Sequence, residues 1–223
     1  MEKGLFCKAV SRFLLGAAAM GLLLFVPAGT LCWPGAWLLM GILFLPMFCA
    51  GLVLLRKNPQ LLKKRLSLKE RQAGQRLVVA LSGGMFAAGF LLAGLDFRLG
   101  WSRLPGWAPW AAAGVFLAAY LLYAEVLREN AYLSRTVEVQ EGQRVVDTGL
   151  YGLVRHPMYS ATILLFLAMP VVLGSLPALV PFLAYPVLIA RRIRGEEALL
   201  ERELPGYATY KQRVRYRLFP FIW

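Results

Sequence analysis

The sequence is poor in the residues that bind transition metals. It contains a single histidine, His156, and three cysteines, Cys7, Cys32 and Cys49. The cysteines are far apart and form no CxxC pair, so we interpret them as ordinary small apolar residues. With so few histidine and cysteine ligands available, we expect no transition-metal site.

The patterns of several soluble enzyme classes are also missing. No GxGxxG follows a strand, and the chain shows almost no strand pattern, which excludes a Rossmann-type cofactor domain. Nothing resembles GxSxG, so the single histidine does not indicate a Ser-His-Asp hydrolase.

Acidic residues are scarce, while apolar residues are abundant. The chain has 12 Asp and Glu against 25 Lys and Arg, is 59% hydrophobic, and has a mean hydropathy of +0.58. Several windows of about twenty apolar residues indicate an integral membrane protein. The net charge of +13 could suggest nucleic acid, but the basic residues flank apolar segments, as they do in membrane proteins. We therefore predict an all-α, polytopic bundle of about five to six transmembrane helices.

The spans can be placed from the apolar runs and the breakers between them. We predict spans at residues 13–31, 36–55, 77–95 and 107–127, followed by a helical hairpin over 158–174 and 178–190. The cluster of Gly174, Ser175 and Pro177 favours the hairpin over one long bent helix. Residues 56–76 predict a basic amphipathic segment on the membrane surface. In the third span, Gly84 and Ala88 predict close helix packing.

The basic residues are distributed unequally between the two sides of this topology. Three lie in residues 1–12, eight in 56–76, four in 128–156 and eight in 191–223, and only Arg98 and Arg103 fall on the other side. The positive-inside rule therefore predicts that both termini and the loop before residue 157 are cytoplasmic.

The stretch DTGLYGLVRHPMY, residues 147–159, is the most informative polar segment. Pro157 suits the first turn of a helix, which places Arg155 and His156 at a helix N-terminus. Free backbone N–H groups beside a guanidinium make an anion site. An interfacial anchor is the alternative for Arg155 alone.

Other candidate residues fall on the same side. Glu125 and Arg128, at i and i+3, can pair on one helix face, either as an interfacial ion pair or as functional groups. The helix containing Glu196 and Glu197 is either a solvated surface helix or a binding site for a cationic or hydroxylated ligand. Aromatic faces for a cation or a purine could come from the tyrosines in this region, Tyr159, Tyr207 and Tyr210.

Residues 124–223 resemble the isoprenylcysteine carboxyl methyltransferase and phospholipid methyltransferase superfamily. The pieces that carry the resemblance are EVLR at 125–128, GLYGLVRHPMY at 149–159, Glu196-Glu197, PGYATYKQRV at 205–214, and FPFI at 219–222. Leu150 stands where the family often has proline, and the first hundred residues show no such resemblance. We interpret residues 1–123 as a separate N-terminal helical region.

The resemblance implies a membrane methyltransferase that uses S-adenosyl-L-methionine and takes a lipidic or prenylated substrate from the bilayer. It implies that Arg128, with Glu125 and Arg155, serves catalysis, Arg128 by facing the methyl acceptor. It also implies cofactor contacts near the RHPxY loop and the last helices, for which the candidates are Tyr151, Arg155, His156, Pro157, Tyr159, Glu196, Glu197, Tyr207 and Tyr210.

Three alternatives remain open from the sequence. Within methyl transfer, the acceptor could be a phospholipid amine instead of a carboxylate. A related membrane fold serves sterol-type reductases that use a nicotinamide cofactor. A non-enzymatic transporter or scaffold is the third, although the chain shows no internal repeat and its charges gather at one face.

Overall fold

Four long apolar helices form the membrane-spanning part of the protein. The structure is a computed structural model that describes residues 2–66, 73–133 and 137–223. The helices long and apolar enough to cross a membrane are α1 (Glu2–Ala28), α2 (Pro34–Lys57), α4 (Ala73–Leu99) and α5 (Ala108–Glu129), with the short α3 (Pro59–Arg65) after α2. Even α5, with 22 residues, is about 33 Å long, enough for a hydrocarbon core of about 30 Å.

A shorter antiparallel hairpin completes the bundle. It consists of α6 (Pro157–Val172), the single turn α7 (Leu179–Phe182) and α8 (Ala184–Glu203). The Tyr185 hydroxyl donates to Thr162 Oγ1 over 3.0 Å, so α8 runs back along α6. The hairpin predicted from the sequence is therefore confirmed, with Gly174 at a φ of 76° in its turn. All elements described in the three resolved ranges are helical, which confirms the predicted helical membrane bundle.

Close helix packing occurs at two glycines of α4 that differ from the predicted one. A Cβ atom on Gly94 would lie 2.6 Å from the Leu24 carbonyl oxygen of α1, and one on Gly89 would overlap the Phe182 ring of α7. Gly84 faces open space, so the expectation that it mediates close packing is wrong. Residues 84 and 89 are five apart, which places them about 140° from each other around a helix with 3.6 residues per turn.

One end of the bundle is held together by a hydrogen-bonded group around Ser102. The Ser102 amide donates to Oδ1 of the buried Asp96 over 2.7 Å, and its hydroxyl donates to Oδ2 over 2.6 Å. The same hydroxyl accepts a 2.9 Å hydrogen bond from the Leu176 amide. This group joins the end of α4, the α4–α5 connection and the α6–α7 turn. We call this end the opposite face.

The other end, which we call the pocket face, carries most of the polar structure. Helix α3 lies here, with Leu61 and Leu62 buried and Lys63 exposed; residues 67–72 of the basic segment lie outside the described residues. A 3₁₀ turn spans Gly149–Gly152, and α9 (Tyr207–Arg213) follows α8 after Gly206, whose φ of 85° separates the two helices. The loop between α5 and α6 and the chain after α8 therefore meet at one face.

Candidate active site

The backbone at Arg155 and His156 is bound to the last part of the chain. Their amides donate to the carbonyl oxygens of Tyr216 and Arg217, each over 2.9 Å. We call residues 214–223 the tail segment. Because Pro157 opens α6 and His156 precedes it with non-helical backbone angles, these two N–H groups point away from the helix and are available to the tail segment.

The side chain of Arg155 makes three hydrogen bonds within the protein. Its Nε donates to Glu197 Oε1 over 2.7 Å, and its Nη1 donates to the carbonyl oxygens of Val214 and Arg215 at 2.6 and 2.8 Å. Both side chains of the Arg155–Glu197 pair are buried. Charge-assisted hydrogen bonds in so dry a place are strong and directional, so this pair fastens α8 and the tail segment to the loop before α6.

Glu197 has both oxygens occupied by basic partners. His156 Nε2 lies 3.2 Å from Oε1, and Arg217 Nε donates to Oε2 over 2.9 Å. Burial by itself raises the pKa of the Glu197 carboxyl, but hydrogen bonds from its basic partners outweigh burial and hold the pKa well below its usual range. The carboxylate is therefore ionised and structural in this arrangement.

Its neighbour Glu196 is placed differently. The buried Tyr159 hydroxyl donates to Glu196 Oε2 over 2.7 Å and accepts a 2.8 Å hydrogen bond from Nε of the buried Arg192. Within the described residues, the other oxygen of Glu196 has no hydrogen-bond partner, so this side chain keeps acceptor capacity for a ligand.

These side chains border a pocket at the pocket face. The pocket is open to the surface, and together with its open mouth it contains about 840 Å³ of empty space. Of the predicted site residues, seven line it: Tyr151, Arg155, His156, Tyr159, Glu196, Tyr207 and Tyr210. Pro157 and Glu197 support this wall from behind. An apolar part of the wall is made by Val145, Leu199, Leu200 and Leu204.

Tyr207 contributes a buried hydroxyl group to the pocket wall. Its side chain lies in the pocket wall, and its hydroxyl has no hydrogen-bond partner among the described residues. Burial, together with the Glu197 and Glu196 carboxylates, raises the pKa of Tyr207 far above its usual value, so the hydroxyl stays protonated. A buried polar group without a hydrogen-bond partner destabilises the fold. A ligand that accepts a hydrogen bond from the Tyr207 hydroxyl would remove this cost.

Two residues that the motif analysis did not identify position Tyr151. Asn130 Nδ2 donates to the Tyr151 hydroxyl over 2.9 Å, and Glu129 Oε2 accepts a 3.0 Å hydrogen bond from the Leu150 amide. Gly149, with a φ of 51°, leaves the space that the Glu129 carboxylate fills. The sequence signal for this close approach is Gly149 itself, the glycine that opens the GLYG turn.

The predicted catalytic pair lies outside this pocket. Arg128 donates from Nε to Glu125 Oε2 over 2.8 Å, and their side chains are 74% and 40% exposed. The pair sits on the last turns of α5, just before Glu129 and Asn130, and is absent from the pocket lining. The Glu125–Arg128 pair, which was predicted to face the methyl acceptor, is thus separate from the pocket wall that was predicted to bind the cofactor. Arg155, the third predicted catalytic residue, lies in that wall.

Fold and site together define an integral membrane protein with a small-molecule pocket at one face of its bundle. Residues 110–202 match the model of the isoprenylcysteine carboxyl methyltransferase family, a family of membrane methyltransferases, which confirms the resemblance noted from the motifs. The matched region contains the 3₁₀ turn, the RHPMY segment and the Glu196-Glu197 pair. It ends before Tyr207, Tyr210 and the tail segment.

A second comparison points to a related membrane family. Over 92 residues the chain is 28% identical to a delta(14)-sterol reductase of Mus musculus. The similarity covers 40% of this chain and 22% of the reductase, so the chain spans about a fifth of the length of that curated relative.

Proposed function

We propose that this protein transfers a methyl group from S-adenosyl-L-methionine to the carboxylate of an isoprenylcysteine-like lipid. The observation that carries the proposal is the pocket beside the RHPMY segment, whose wall contains the partnerless Tyr207 hydroxyl and the half-used Glu196 carboxylate. Both groups lie where the family region meets the chain that follows it.

The residues of the pocket fit the chemical groups of this cofactor. Bound there, S-adenosyl-L-methionine supplies a methyl group attached to a positively charged sulfur. The Tyr207 hydroxyl is a donor for a ring nitrogen or a carboxylate, and Glu196 is an acceptor for an ammonium group or ribose hydroxyls. The apolar residues of the wall suit a purine ring, and the tyrosine faces favour a cation.

Arg155, His156 and Glu197 act on the cofactor mainly through the shape of the wall. Their polar atoms bind one another and the tail segment, and Pro157 sets the start of α6 beneath them. Tyr210 similarly holds the 3₁₀ turn by donating to the Tyr151 carbonyl oxygen over 2.8 Å. The chain thereby keeps a dry, shaped wall, which is what alignment and exclusion of water require.

Arg128 is proposed to orient the methyl acceptor. A carboxylate is already ionised, so its methylation requires alignment more than a strong base. Glu125 holds the Arg128 guanidinium in the absence of a substrate, and an acceptor carboxylate would share or replace that partner. Acceptor binding is therefore proposed at the end of α5 that carries Glu125 and Arg128. Following the positive-inside rule, we propose that the pocket face and both ends of the chain are cytoplasmic.

Calorimetry on the purified protein tests the cofactor directly. We expect binding of S-adenosyl-L-methionine and of its demethylated product, and no binding of a reduced nicotinamide dinucleotide. Binding of the nicotinamide instead would favour the reductase, the alternative that the sterol reductase similarity raises. A lack of affinity for both methyl compounds would refute the proposal.

The acceptor is tested with methyl-labelled cofactor. Label should enter a base-labile ester of a prenylated cysteine analogue supplied in vesicles. Label appearing instead in the headgroups of extracted phospholipids would overturn the carboxylate acceptor in favour of phospholipid amine N-methylation.

A further inference from the structure

The tail segment ends in a tight turn that leaves two apolar side chains outside the fold. The amides of Arg217 and Leu218 donate to the Trp223 carbonyl oxygen at 2.8 and 2.9 Å, which closes the turn. Phe221 is 89% exposed and Ile222 is 80% exposed, the highest values among the large exposed apolar residues that the structure describes. Both lie at the tip of the turn.

The backbone of the turn is strained at its tip. Phe221 has a φ of 65°, and it is the one residue other than glycine with a positive φ in the described part of the chain. A side chain with a Cβ atom disfavours this left-handed conformation. The strain persists because Leu218, Phe219 and Trp223 pack against the helical core on the inner side of the turn. The same geometry presents Phe221 and Ile222 outward.

The turn packs beside the first turn of the apolar helix α6. The Ser160 hydroxyl, in the first turn of the apolar helix α6, donates to the Leu218 carbonyl oxygen over 2.5 Å. The turn is therefore beside the start of an apolar helix rather than far out in water.

Basic residues accompany these apolar side chains. Arg213 and Arg215 are exposed just before the turn, and the Arg217 guanidinium lies 4.9 Å from the centroid of the Trp223 ring. Arg213 also pairs with Asp147. Apolar and aromatic tips flanked by arginines are typical of segments that bind the headgroup region, and anionic lipids attract the basic residues.

We propose that the turn at residues 219–223 inserts Phe221 and Ile222 into the lipid interface at the pocket face, with Arg215 near anionic headgroups. The insertion itself does not depend on methyl transfer. Its consequence for the pocket rests on the proposed function. Because the tail segment supplies the carbonyl oxygens that bind Arg155 and His156, lipid contact at the turn stabilises one wall of the cofactor pocket.

A fluorescent probe at the tip tests the insertion. In a background with Cys7, Cys32 and Cys49 replaced by serine, the substitution Phe221→Cys carries an environment-sensitive thiol dye. The control is Gln212→Cys on the exposed side of α9. Both proteins are reconstituted in phosphatidylcholine vesicles with and without phosphatidylglycerol, using lipids brominated near the headgroup or unbrominated lipids.

We expect blue-shifted emission and strong quenching by brominated lipid at position 221, larger with phosphatidylglycerol, and neither effect at position 212. A probe at 221 as water-exposed as the one at 212 would overturn the insertion. Equal quenching in both lipid compositions would refute the role of the arginine. A blue shift at position 221 that appears only at a high protein-to-lipid ratio would indicate that a second copy of the chain covers the probe. This result would also contradict the proposal.

A second variant separates lipid contact from folding. Phe221→Gly removes the apolar tip and relieves the left-handed backbone, because glycine adopts positive φ freely. In detergent we expect it to be at least as stable to heat as the wild type. In vesicles with phosphatidylglycerol, we expect faster trypsin cleavage after Arg215 than in the wild type. Equal cleavage rates in vesicles would show that the side chain does not hold the turn on the membrane.

Discussion

The Arg155 Nε atom donates to Glu197 Oε1 over 2.7 Å, and the two side chains are only 3% and 4% exposed. This pair joins the loop before α6 to α8, and further bonds of Arg155 fix the tail segment. Most of the polar organisation of the pocket face depends on it. Predictions about stability therefore begin with these two residues.

Replacing one partner of this pair is expected to destabilise the protein strongly. Arg155→Gln leaves the buried Glu197 carboxylate with one charge partner fewer, and breaking a buried pair in this way costs about 3–5 kcal/mol. The melting temperature in detergent should fall clearly. The matched control is Arg202→Gln, which breaks the exposed Arg202–Glu203 pair and should cost less than about 0.5 kcal/mol. Similar melting temperatures for the two variants would contradict the structural role of Arg155.

The same carboxylate predicts a defined response to acid. The pKa of Glu197 is lowered in the folded protein from its ordinary value of 4.5. A depressed pKa contributes stability that is fully present above that ordinary value and is lost as the pH falls below it toward the folded-state pKa. We expect the wild-type melting temperature to drop below about pH 4.5, and the drop to be smaller in Glu197→Gln. Parallel pH curves for the two proteins would argue against this linkage.

Gly149 is expected to be essential for the geometry of the 3₁₀ turn. A Cβ atom there would overlap the Glu129 carboxylate, and its φ of 51° already disfavours alanine. Gly149→Ala should therefore lower both the melting temperature and the affinity for S-adenosyl-L-methionine, because Tyr151 lies in the same turn. The control is Gly142→Ala, which has a φ of 70° but open space around it and should cost only about 1–2 kcal/mol for the backbone. Equal losses of melting temperature and cofactor affinity in the two variants would show that the contact between Glu129 and the turn at Gly149 is unimportant.

Tyr207→Phe should have opposite effects on stability and binding. Its hydroxyl is buried and has no hydrogen-bond partner in the described ranges. Such a group costs about 1–3 kcal/mol, so the variant should melt higher than the wild type without ligand. Calorimetric affinity for S-adenosyl-L-methionine should fall. Tyr210→Phe is the contrasting variant, since it loses the hydrogen bond to Tyr151 and should melt lower. If the Tyr207→Phe protein binds the cofactor as tightly as the wild type, the hydroxyl makes no hydrogen bond to the cofactor.

Substitutions in the Glu125–Arg128 pair are expected to affect use of the methyl acceptor more than binding of the cofactor. Arg128→Ala should lower turnover more than it lowers cofactor affinity. Glu125→Gln removes the competing carboxylate and should lower the KM for a carboxylate acceptor while leaving cofactor affinity unchanged. Steady-state kinetics with a prenylated cysteine analogue, alongside calorimetry, measures both quantities. Loss of cofactor affinity in Arg128→Ala at unchanged saturating turnover would overturn the acceptor role.

The features that were predictable from the sequence are those that depend on local pattern. Apolar runs and breakers predicted the helices and the α6–α8 hairpin, and the family resemblance of the RHPMY and Glu196-Glu197 segments implied that these segments meet at the pocket. Proline at position 157 indicated where α6 begins. These signals are local because helix length, helix starts and helix ends depend on nearby residues.

The features that were not predictable depend on how distant segments approach each other. Glu129 reaches Leu150 and surrounds Gly149 only because the loop after α5 folds back across about twenty residues. The close contact of Gly94 with Leu24, instead of a contact at Gly84, depends on the rotation of α4 within the bundle. Whether Glu197 faces a ligand or Arg155 is likewise a tertiary property that adjacent acids in a sequence do not reveal.

The serine at position 102 has a mechanical consequence for the whole bundle. By joining Asp96 and the Leu176 amide, it clamps the helix ends on the side of the membrane far from the pocket. Helices that are held together at one end of a bundle can separate at the other end. For the lipidic substrate that we propose, entry from the bilayer is therefore expected at the pocket face rather than at the opposite face.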